Sequence, residues 1–302
     1  IFYVFSIFST SFGYLLNDLS DRKLDRGHGK PNTFQNDTLS YAISVVAICF
    51  LLSTCLAIPF FNRQFFLILW GIWVISVVAY SLPPFRFKQR GLIGLLIVVF
   101  AQRVLPTLIV FSAFNYNNFT DIWLFTLYIF LRGLSSDINH QIEDLGRDAE
   151  TKINTFAVNV GHKKIKRLFS WVLEAEKILL LILVLRIGTV IHQTYPSAAW
   201  FAWLFLGVYY LPLYGISFYK QVRGEARNPF LYGEKNIFQV IHHPFPSIFI
   251  PVVFCLFLSQ FNSFYVFVLA GFMVNKKLYK REVLLNNFLA ISFRRFVQTV
   301  KK

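Results

Sequence analysis

The amino-acid sequence predicts an all-α, polytopic membrane protein, and three observations lead to that fold class. The chain of 302 residues is 56% hydrophobic, and its mean hydropathy is +0.53. Apolar stretches long enough to cross a bilayer recur along it, separated by polar segments rich in Lys and Arg. Charged residues make up only 15% of the chain, against about 25% in soluble globular domains.

Eight apolar segments can be counted, and most reach the about 20 residues that a helix needs to span the bilayer core. They are residues 1–16, 39–61, 65–82, 92–114, 120–137, 168–190, 197–218 and 246–274. The first is short and begins at Ile1 without a Met, so we expect an N-terminus that has been truncated. Residues 1–274 are expected to form one transmembrane helical domain, followed by a basic amphipathic tail over 275–302.

The distribution of Lys and Arg predicts the orientation of the bundle. Four long polar segments hold 17 of these residues; they are 17–37, 83–91, 138–167 and 219–245. On the other side there are only Arg63, in a short turn, and Arg186, near the end of the sixth apolar segment. By the positive-inside rule the long segments are predicted to be cytoplasmic. The tail carries eight Lys and Arg residues, yet it falls on the opposite side by parity. Either the last apolar segment is a re-entrant or doubled element, or the tail is an amphipathic helix on the far leaflet.

Composition also excludes several classes of function. The net charge of +15 suits a protein that faces anionic lipid, and it can attract anionic substrates. Nucleic-acid binding is not expected, because the basic residues lie in short segments between spans. The three cysteines, Cys49, Cys55 and Cys255, lie in apolar segments without the spacing of metal ligands and are expected to be small buried hydrophobes.

The first cluster of acids, Asp18, Asp21 and Asp25, follows the first apolar segment directly, in the stretch N-D-L-S-D-R-K-L-D (Asn17–Asp25). Spacings of three, four and seven place the three carboxylates on one helical face, spread over roughly 10 Å. Carboxylates stacked in this way repel each other unless a cation lies among them. The pattern therefore favours a divalent cation that carries a phosphorylated substrate.

A second acidic stripe follows the fifth apolar segment and has a matching pattern. Asp137, Gln141, Asp144 and Asp148 again share one helical face. One such stripe could be a solvated helix end, but two of them, in a chain with only 15 acidic residues, argue for a shared site. Two Asp-rich walls that hold Mg²⁺ ions around a diphosphate account for both stripes, because Mg²⁺ prefers a few carboxylates together with phosphate oxygens and water.

These motifs together resemble the UbiA superfamily of intramembrane prenyltransferases. Asn17–Asp25 resembles the N-D-x-x-D-x-x-x-D motif of that family, and Asp137–Asp148 resembles its second Asp-rich motif. The run Thr155–Val158 with Gly161 is similar to the usual sequel of the second motif. Tyr80–Lys88 resembles the family's Tyr-Ser-x-Pro-Pro-x-Arg-x-Lys loop. The order matches the family's order, and the resemblance implies a UbiA-type bundle of nine helices, of which this chain would contain helices two to nine.

The resemblance implies a Mg²⁺-dependent integral-membrane transferase. Such an enzyme ionises a polyprenyl diphosphate and moves the prenyl group to an acceptor, either an aromatic compound or another small lipid precursor. The catalytic residues by motif position would be Asp18, Asp21, Asp25, Asp137, Asp144 and Asp148, all but Asp137 also as Mg²⁺ ligands. The residues expected to bind substrate are Asn17, Lys30, Tyr80, Arg86, Lys88, Arg103 and Gln141.

The segment after Asp25 departs from the family pattern and leaves alternatives open. Many members carry an Arg-Pro pair there, whereas this chain reads R-G-H-G-K-P-N over 26–32. The glycines would let the backbone approach phosphate, with Lys30 as a point charge. This segment resembles, faintly, the branch that transfers phosphoribosyl groups to polyprenyl phosphate. An intramembrane terpene cyclase is a further alternative. An ion-coupled transporter is disfavoured, because the acids cluster at helix ends and no repeat is visible.

Two arginines lie inside apolar segments, where a charge is costly and usually has a partner. Arg103 is expected either to face a cavity or to form a structural ion pair. Arg132 precedes Asp137 by five residues, so pairing between them at the helix end is considered.

Two glutamates near the start of the sixth apolar segment have different expected roles. Glu176 and Lys177 are expected to form an interfacial pair, which leaves Glu174 as the better functional candidate.

Overall fold

The computed structural model describes residues 1–27, 29–150, 154–198, 200, 203–204, 207, 211–224, 228–230, 237–243 and 245–280. Within these ranges the chain is helical, and the only β-type pairing is an isolated bridge between Gly91 and Thr155. This confirms the all-α prediction. By its contacts the chain divides into two compact units, residues 1–183 and 184–302.

The first unit is built from helices α1 to α7 and the first part of α8. Their bounds are α1 Phe2–Gly27, α2 Leu39–Ala57, α3 Phe66–Ser81, α4 Gly91–Val99, α5 Leu105–Ala113, α6 Phe119–Glu150, α7 Phe156–Val160 and α8 His162–Thr194. Short 3₁₀ turns follow α2 and precede α4, and a π-helical turn, Phe100–Val104, joins α4 to α5.

Three helical stretches in the described part of the chain are long and apolar enough to cross a membrane. They are Leu39–Phe60, Gly91–Ala113 and Phe238–Ser259, the last of which includes position 244, outside the described residues. The shorter helices α3 and Phe264–Asn275 are also apolar. These stretches coincide with predicted membrane segments.

The two helices that carry the acidic stripes extend beyond the predicted apolar segments. The sequence separates residues 17–37 and 138–167 as polar connections, but α1 continues to Gly27 and α6 to Glu150. A helix does not have to end where its apolar face ends, since its backbone hydrogen bonds are internal. In α1 the first glycines after the stripe, at 27 and 29, mark its end. Both stripes therefore keep a helical register.

Small side chains allow α1 and α2 to pack closely. Ser9 and Ser53 lie opposite each other, with their hydroxyl oxygens 2.6 Å apart in a buried hydrogen bond. Ala42 and Ala57 of α2 are fully buried. In a bilayer the lipid is as apolar as the helix surface, so the hydrophobic effect does not drive helices together. They associate instead through close packing of small residues and hydrogen bonds between helices.

The π-helical turn before α5 is stabilised by a tryptophan from α3. In this turn the N–H of Leu105 donates to the carbonyl of Phe100, five residues earlier. The same register would direct residue 106 to the carbonyl of Ala101, but Pro106 has no N–H. The indole Nε1 of Trp73 donates to that carbonyl instead, at 2.8 Å. A buried acceptor that the helix cannot satisfy is thus satisfied by tertiary packing.

In the second unit the last apolar segment is two helices and not one. A π-helical turn, Phe245–Phe249, leads into α11 (Ile250–Ser259), and α12 (Phe264–Asn275) follows after a short turn. The side chain of Asn262 accepts from the N–H of Phe264 at 2.9 Å, which caps the start of α12. The two helices contact each other. The prediction of one segment over 246–274 is corrected, and the doubled element considered above is the one observed.

The remaining helices of the second unit are α9 (Leu211–Val222) and α10 (Ile237–His242). The ring of Tyr195 stacks on Phe261, with ring centroids 4.1 Å apart, next to the buried Phe257.

Two predictions fall on residues outside the described ranges. Part of the predicted segment 197–218 lies there, and so do all of residues 281–302 of the basic tail. The division into a domain and a tail therefore stays a prediction.

The contribution of the hydrogen bond from Trp73 to the stability of the protein can be measured by comparison with Trp70. Trp70 is also buried on α3, but its Nε1 has no hydrogen-bond partner within the described ranges. We expect Trp73→Phe to lower stability by about 1–3 kcal/mol more than Trp70→Phe, because only the first leaves a buried carbonyl unpaired. Thermal unfolding of the detergent-solubilised variants measures the difference. Equal losses would show that the indole bond does not stabilise the turn.

Candidate functional site

Asp21 of α1 is the centre of an ion cluster with two cations from the loop between α3 and α4. The Nη2 atom of Arg86 lies 2.9 Å from Asp21 Oδ1, and the Nζ atom of Lys88 lies 2.7 Å from Asp21 Oδ2. Lys88 also donates to Asn17 Oδ1 at 3.0 Å and to Ser20 Oγ at 2.8 Å. The structure therefore brings the first acidic stripe and the Tyr80–Lys88 motif together.

This cluster is largely shielded from solvent, which strengthens its electrostatics. The side chains of Lys88 and Asp21 are only 12% and 16% exposed. Burial lowers the pKa of Lys88, while the Asp21 carboxylate opposes that shift and favours the charged ammonium. The Nε of Arg86 is buried and has no hydrogen-bond partner among the described residues. The guanidinium thus retains a donor that a bound anion could use.

The loop after α1 folds back and holds the other two acids of the first stripe. Asn32 Nδ2 donates to the backbone oxygen of Asp18 and to Oδ2 of Asp25, both at 2.8 Å. The hydroxyl and the backbone N–H of Thr33 donate to Asp18 Oδ2 at 2.5 Å and 3.3 Å. Each carboxylate of this stripe therefore has a partner from outside α1.

Two arginines of α1 anchor this loop. Phe34 is buried at 1% exposure, and Arg22 Nε donates to its carbonyl at 2.9 Å. Arg22 also donates to the carbonyl of Asp37, and Arg26 Nη2 donates to that of Gln35 at 2.6 Å. The resemblance to the phosphoribosyl-transferring branch is based on Arg26, His28 and Lys30. Of these, Arg26 is bonded to the loop backbone, and position 28 lies outside the described residues.

The second stripe lies on the half-buried face of α6. Asp137, Gln141, Asp144 and Asp148 are all partly buried, while Glu143 and Glu150 are exposed. The difference between Asp144 and Glu143 is small, since their side chains are 43% and 46% exposed. Gln141 Oε1 accepts from the N–H of Ala157 at 3.1 Å, and Asp144 pairs with Arg147 at 2.7 Å.

Asp148 links the second stripe to the loop that follows α1. Burial raises its pKa, and the neighbouring Asp144 adds to the shift, while a hydrogen bond from Thr155 and the charges of Arg147 and Lys30 oppose it. Lys30 belongs to the loop after the first stripe, and it is exposed. Its electrostatic effect on Asp148 indicates that this loop approaches the second stripe.

The 83–91 loop contacts the first stripe and the segment that follows α6. Its cations, Arg86 and Lys88, hold Asp21, and its last residue, Gly91, donates its N–H to the carbonyl of Asn154 at 2.8 Å. Gly91 has a φ of +53°, and a Cβ atom there would lie 2.7 Å from Asn159 Nδ2. A glycine is needed for both reasons. The 83–91 loop therefore fixes the first stripe relative to the segment that follows the second.

Tyr80 and Arg103 both lie within electrostatic range of Asp137 of the second stripe. Tyr80, at the end of α3, is within electrostatic reach of both Asp21 and Asp137. The stem of Arg103 packs on α6 at Gly133, where a Cβ atom would lie 2.7 Å from Arg103 Cγ. One helical turn further along, Asp137 is subject to the charge of Arg103, and its Oδ2 is buried without a hydrogen-bond partner in the described part of the chain.

The other buried charges form structural pairs. Arg132 Nη1 lies 3.5 Å from Glu176 Oε1, and Ser135 donates to Glu176 Oε2 at 2.8 Å. Lys177 pairs with Glu174 at 2.8 Å. The partner of Arg132 is therefore Glu176, which faces α6 and is only 3% exposed, and not Asp137. The functional candidate Glu174 pairs with Lys177.

An apolar cavity of about 260 Å³ lies beside the ion cluster, among α1, α3, α4, the π-helical turn and α5. Asn17, Tyr80 and Ser81 line its polar end, and Asn17 contacts Lys88 directly. Phe2 and Phe5, at the start of α1, line its other end. The cavity therefore joins an apolar compartment to a cationic head region, which suits an amphiphile with an anionic head.

Sequence reasoning missed several residues that shape the site. Ser20 was inside the first motif but had no assigned role, and nothing in the pattern singled out Asn32 or Thr33. Gly91 and Gly133 could have been flagged only as glycines inside or next to helices, because their role depends on the partner segment.

A metal site is not preformed in the part of the chain that the structure describes. No group of three or more His, Cys, Asp or Glu side chains there is close enough to hold an ion. Instead Asp21 and Asp144 are paired with cations, and Asp18 and Asp25 accept hydrogen bonds. The donor chemistry nevertheless fits a hard cation: oxygen ligands on two helices, with one buried carboxylate oxygen of Asp137 left unpaired.

Comparison with curated proteins finds three kinds of relative. A homogentisate phytyltransferase from Synechocystis sp. is 29% identical over 161 residues, which are 50% of this chain and 51% of the relative. A lycopene elongase/hydratase from Corynebacterium glutamicum is 25% identical over 196 residues, 62% of each chain. A digeranylgeranylglyceryl phosphate synthase from Sulfurisphaera tokodaii is 29% identical over 181 residues, 57% of this chain and 58% of the relative.

The matched region thus spans about half to three fifths of the length of these relatives. No solved structure matches the chain. The model of the UbiA prenyltransferase family matches residues 1–238, which contain both acidic stripes and the loop that connects them. The family resemblance is therefore confirmed: the chain belongs to the UbiA prenyltransferase family, and with the three long apolar helices of its described part it is an integral membrane protein.

Proposed function

We propose that this protein is a Mg²⁺-dependent intramembrane transferase that moves a polyprenyl group from its diphosphate to a small acceptor. The observation that carries the proposal is the Arg86–Lys88–Asp21 cluster at the polar end of the apolar cavity. The printed names of the relatives, a phytyltransferase and a digeranylgeranylglyceryl phosphate synthase among them, support prenyl transfer as the reaction class.

In the proposed reaction, the bond between the allylic carbon of the donor and its diphosphate oxygen breaks, and the electron pair leaves with the diphosphate. Arg86 and Lys88 would donate hydrogen bonds to phosphate oxygens, the first through its unpaired Nε. The acceptor's nucleophilic atom then bonds to the allylic carbon and loses a proton. The ring of Tyr80 would shield the carbocation from water and stabilise its charge.

The Mg²⁺ ligands in this proposal are the carboxylates of both stripes. Asp18, Asp21 and Asp25 would contribute from α1, and Asp144 and Asp148 from α6. Bound Mg²⁺ supplies positive charge that stabilises the departing diphosphate. Asp21 pairs with Arg86 and Lys88, Asp144 pairs with Arg147, and Asp18 and Asp25 accept hydrogen bonds from the loop over 29–34. Arg86 and Lys88 would face the phosphate oxygens of the donor from their positions beside Asp21.

We further propose that the acidic stripes face the cytoplasm, together with the long basic segments. The distribution of Lys and Arg supports this orientation, since the long segments hold 17 of these residues.

The deciding experiment is turnover of a labelled prenyl diphosphate by the purified protein in proteoliposomes, with and without a membrane lipid extract as the source of acceptor. We expect diphosphate release that requires both Mg²⁺ and the extract, with the label recovered in a larger lipid. A chelator should abolish release, and added Mg²⁺ should restore it.

Other outcomes of this experiment identify the alternatives. A cyclic hydrocarbon formed without extract would indicate a terpene cyclase. Label from phosphoribosyl diphosphate recovered in lipid would indicate phosphoribosyl transfer. Uptake of the compound without turnover would indicate a transporter.

The second stripe can be tested with two substitutions on α6. Asp144→Asn keeps the shape of a proposed Mg²⁺ ligand and removes its charge, while Glu150→Gln makes the same change on the exposed face. We expect kcat to fall by about 100-fold or more in the first, since even an outer-shell partner of a metal is worth about 10–100-fold. Kinetics at saturating donor measure this. Comparable activity in the two variants would remove Asp144 from the metal site.

The phosphate clamp can be tested with two arginines of the same loop. Arg86 belongs to the ion cluster, whereas Arg90 donates to the carbonyl of Pro84 and lies over the ring of Phe87. Arg86→Gln should lower kcat/KM for the donor by about 10- to 100-fold, the value of a charged hydrogen bond. Arg90→Gln serves as the control and should change it little. A uniform effect of both would indicate general electrostatic attraction instead of a specific contact.

A further inference from the structure

A cluster of phenylalanines lies at the far end of the apolar cavity. Phe2 and Phe5 line the cavity. Phe2 packs edge-on against Phe60 and Phe114, with ring centroids 5.5 Å and 5.3 Å apart, and Phe5 packs against Phe66 at 5.8 Å. These rings come from the start of α1, the end of α2, the start of α3 and the end of α5. All four helix ends lie away from the acidic stripes along their helices, so the cluster forms a floor opposite the ion cluster.

The wall between the floor and the ion cluster runs along one face of α1. Its lining residues recur every three or four positions, which is the period of a helical face; they are Phe2, Phe5, Ser6, Ser9, Thr10, Gly13, Tyr14 and Asn17. The hydroxyl of Ser6 donates to the carbonyl of Phe2, and Ser9 bonds to Ser53. The polar atoms of these two serines are therefore satisfied within the protein, which leaves a surface suited to hydrocarbon.

The length of this wall limits the chain that can occupy it. At about 1.5 Å per residue, α1 rises about 18 Å from Phe5 to Asn17 and about 22 Å from Phe2 to Asn17. An isoprenoid unit adds four main-chain bonds of about 1.5 Å each and extends about 5 Å when its bond angles are included. An extended prenyl chain with its diphosphate at Lys88 and its end at the phenylalanine floor therefore contains about four units.

We propose that the phenylalanine floor at Phe2 and Phe5 sets the length of the prenyl donor, with a preference for chains of about four isoprenoid units. This inference rests on the proposed function and specifies its donor. Shorter chains leave part of the apolar wall unfilled and lose the free energy of burial there. Longer chains must displace buried aromatic rings or bend, and a packed interior resists both.

Two substitutions should move the preference in opposite directions. Phe2→Ala removes a half-buried ring from the floor and should raise the relative preference for a six-unit donor over a four-unit donor. Thr10 lines the cavity about 10 Å from the level of Asn17. Thr10→Phe should therefore block the channel at about two units and favour the two-unit donor. Both shifts should be at least about tenfold in the ratio of kcat/KM values, since several methylenes are gained or lost from the site.

Matched controls lie on the outer face of the same helix. Tyr3 and Ile7 are 63% and 47% exposed and do not line the cavity. Tyr3→Ala and Ile7→Phe repeat the two changes there and should leave the ratios unchanged. Ratios within one variant are insensitive to a partial loss of folded protein, so a destabilised variant still reports its preference.

Binding and turnover are measured separately so that the two proposals can fail independently. The shift of Tm produced by prenyl S-thiolodiphosphates of two, three, four and six units, which ionise slowly, reports length selectivity without requiring a reaction. We expect the largest shift with four units for the unaltered protein, and displaced maxima for Phe2→Ala and Thr10→Phe. Equal shifts for all lengths, or maxima that move equally in the control variants, would overturn the inference. A clear length maximum without turnover of any prenyl diphosphate would instead overturn the proposed function.

Discussion

The ion cluster of Asp21 with Arg86 and Lys88 is the interaction on which the rest of the site depends. A carboxylate and two cations with little solvent access stabilise one another at short range. The cluster ties α1 to the loop before α4, and Gly91 ties the end of the same loop to the segment after α6. The two acidic stripes are therefore placed relative to each other through a segment that carries no acid itself.

A second constraint shapes the apolar side of the site. Pro106 removes the N–H that the π-helical turn would direct to the Ala101 carbonyl, and Trp73 supplies a donor from another helix. This fixes α3 against the junction of α4 and α5, at the wall of the cavity. From the same turn, the stem of Arg103 runs across Gly133 towards Asp137. The proline, the tryptophan and the glycine act together, although they are far apart in the sequence.

Features that depend on neighbours along one helix could be predicted from the sequence, whereas contacts between distant segments could be predicted less well. The helical register of both acidic stripes was predicted, because a period of 3.6 residues is a local property, and the half-buried face of α6 carries the residues that the spacing selects. Pairing between distant residues was predicted less well. Arg132 forms its ion pair with Glu176 and not with Asp137, because the choice of partner depends on which face of α8 meets α6. Asn32 and Thr33 had no sequence signal, because a hydrogen bond to Asp18 exists only once the loop folds back.

The sequence by itself determined the all-helical membrane class, the family and the helical register of the two stripes, because hydropathy, periodicity and motif spacing act within one helix or one loop. Only the tertiary structure decided that Lys88 and Arg86 lie on Asp21, that the last apolar segment is two helices and that phenylalanines from several helix ends meet at one end of the cavity. The first and third of these depend on contacts between residues that are 58 (Phe2–Phe60) to 112 (Phe2–Phe114) positions apart. At that range the geometry of close-packed side chains, and not local pattern, selects the partner.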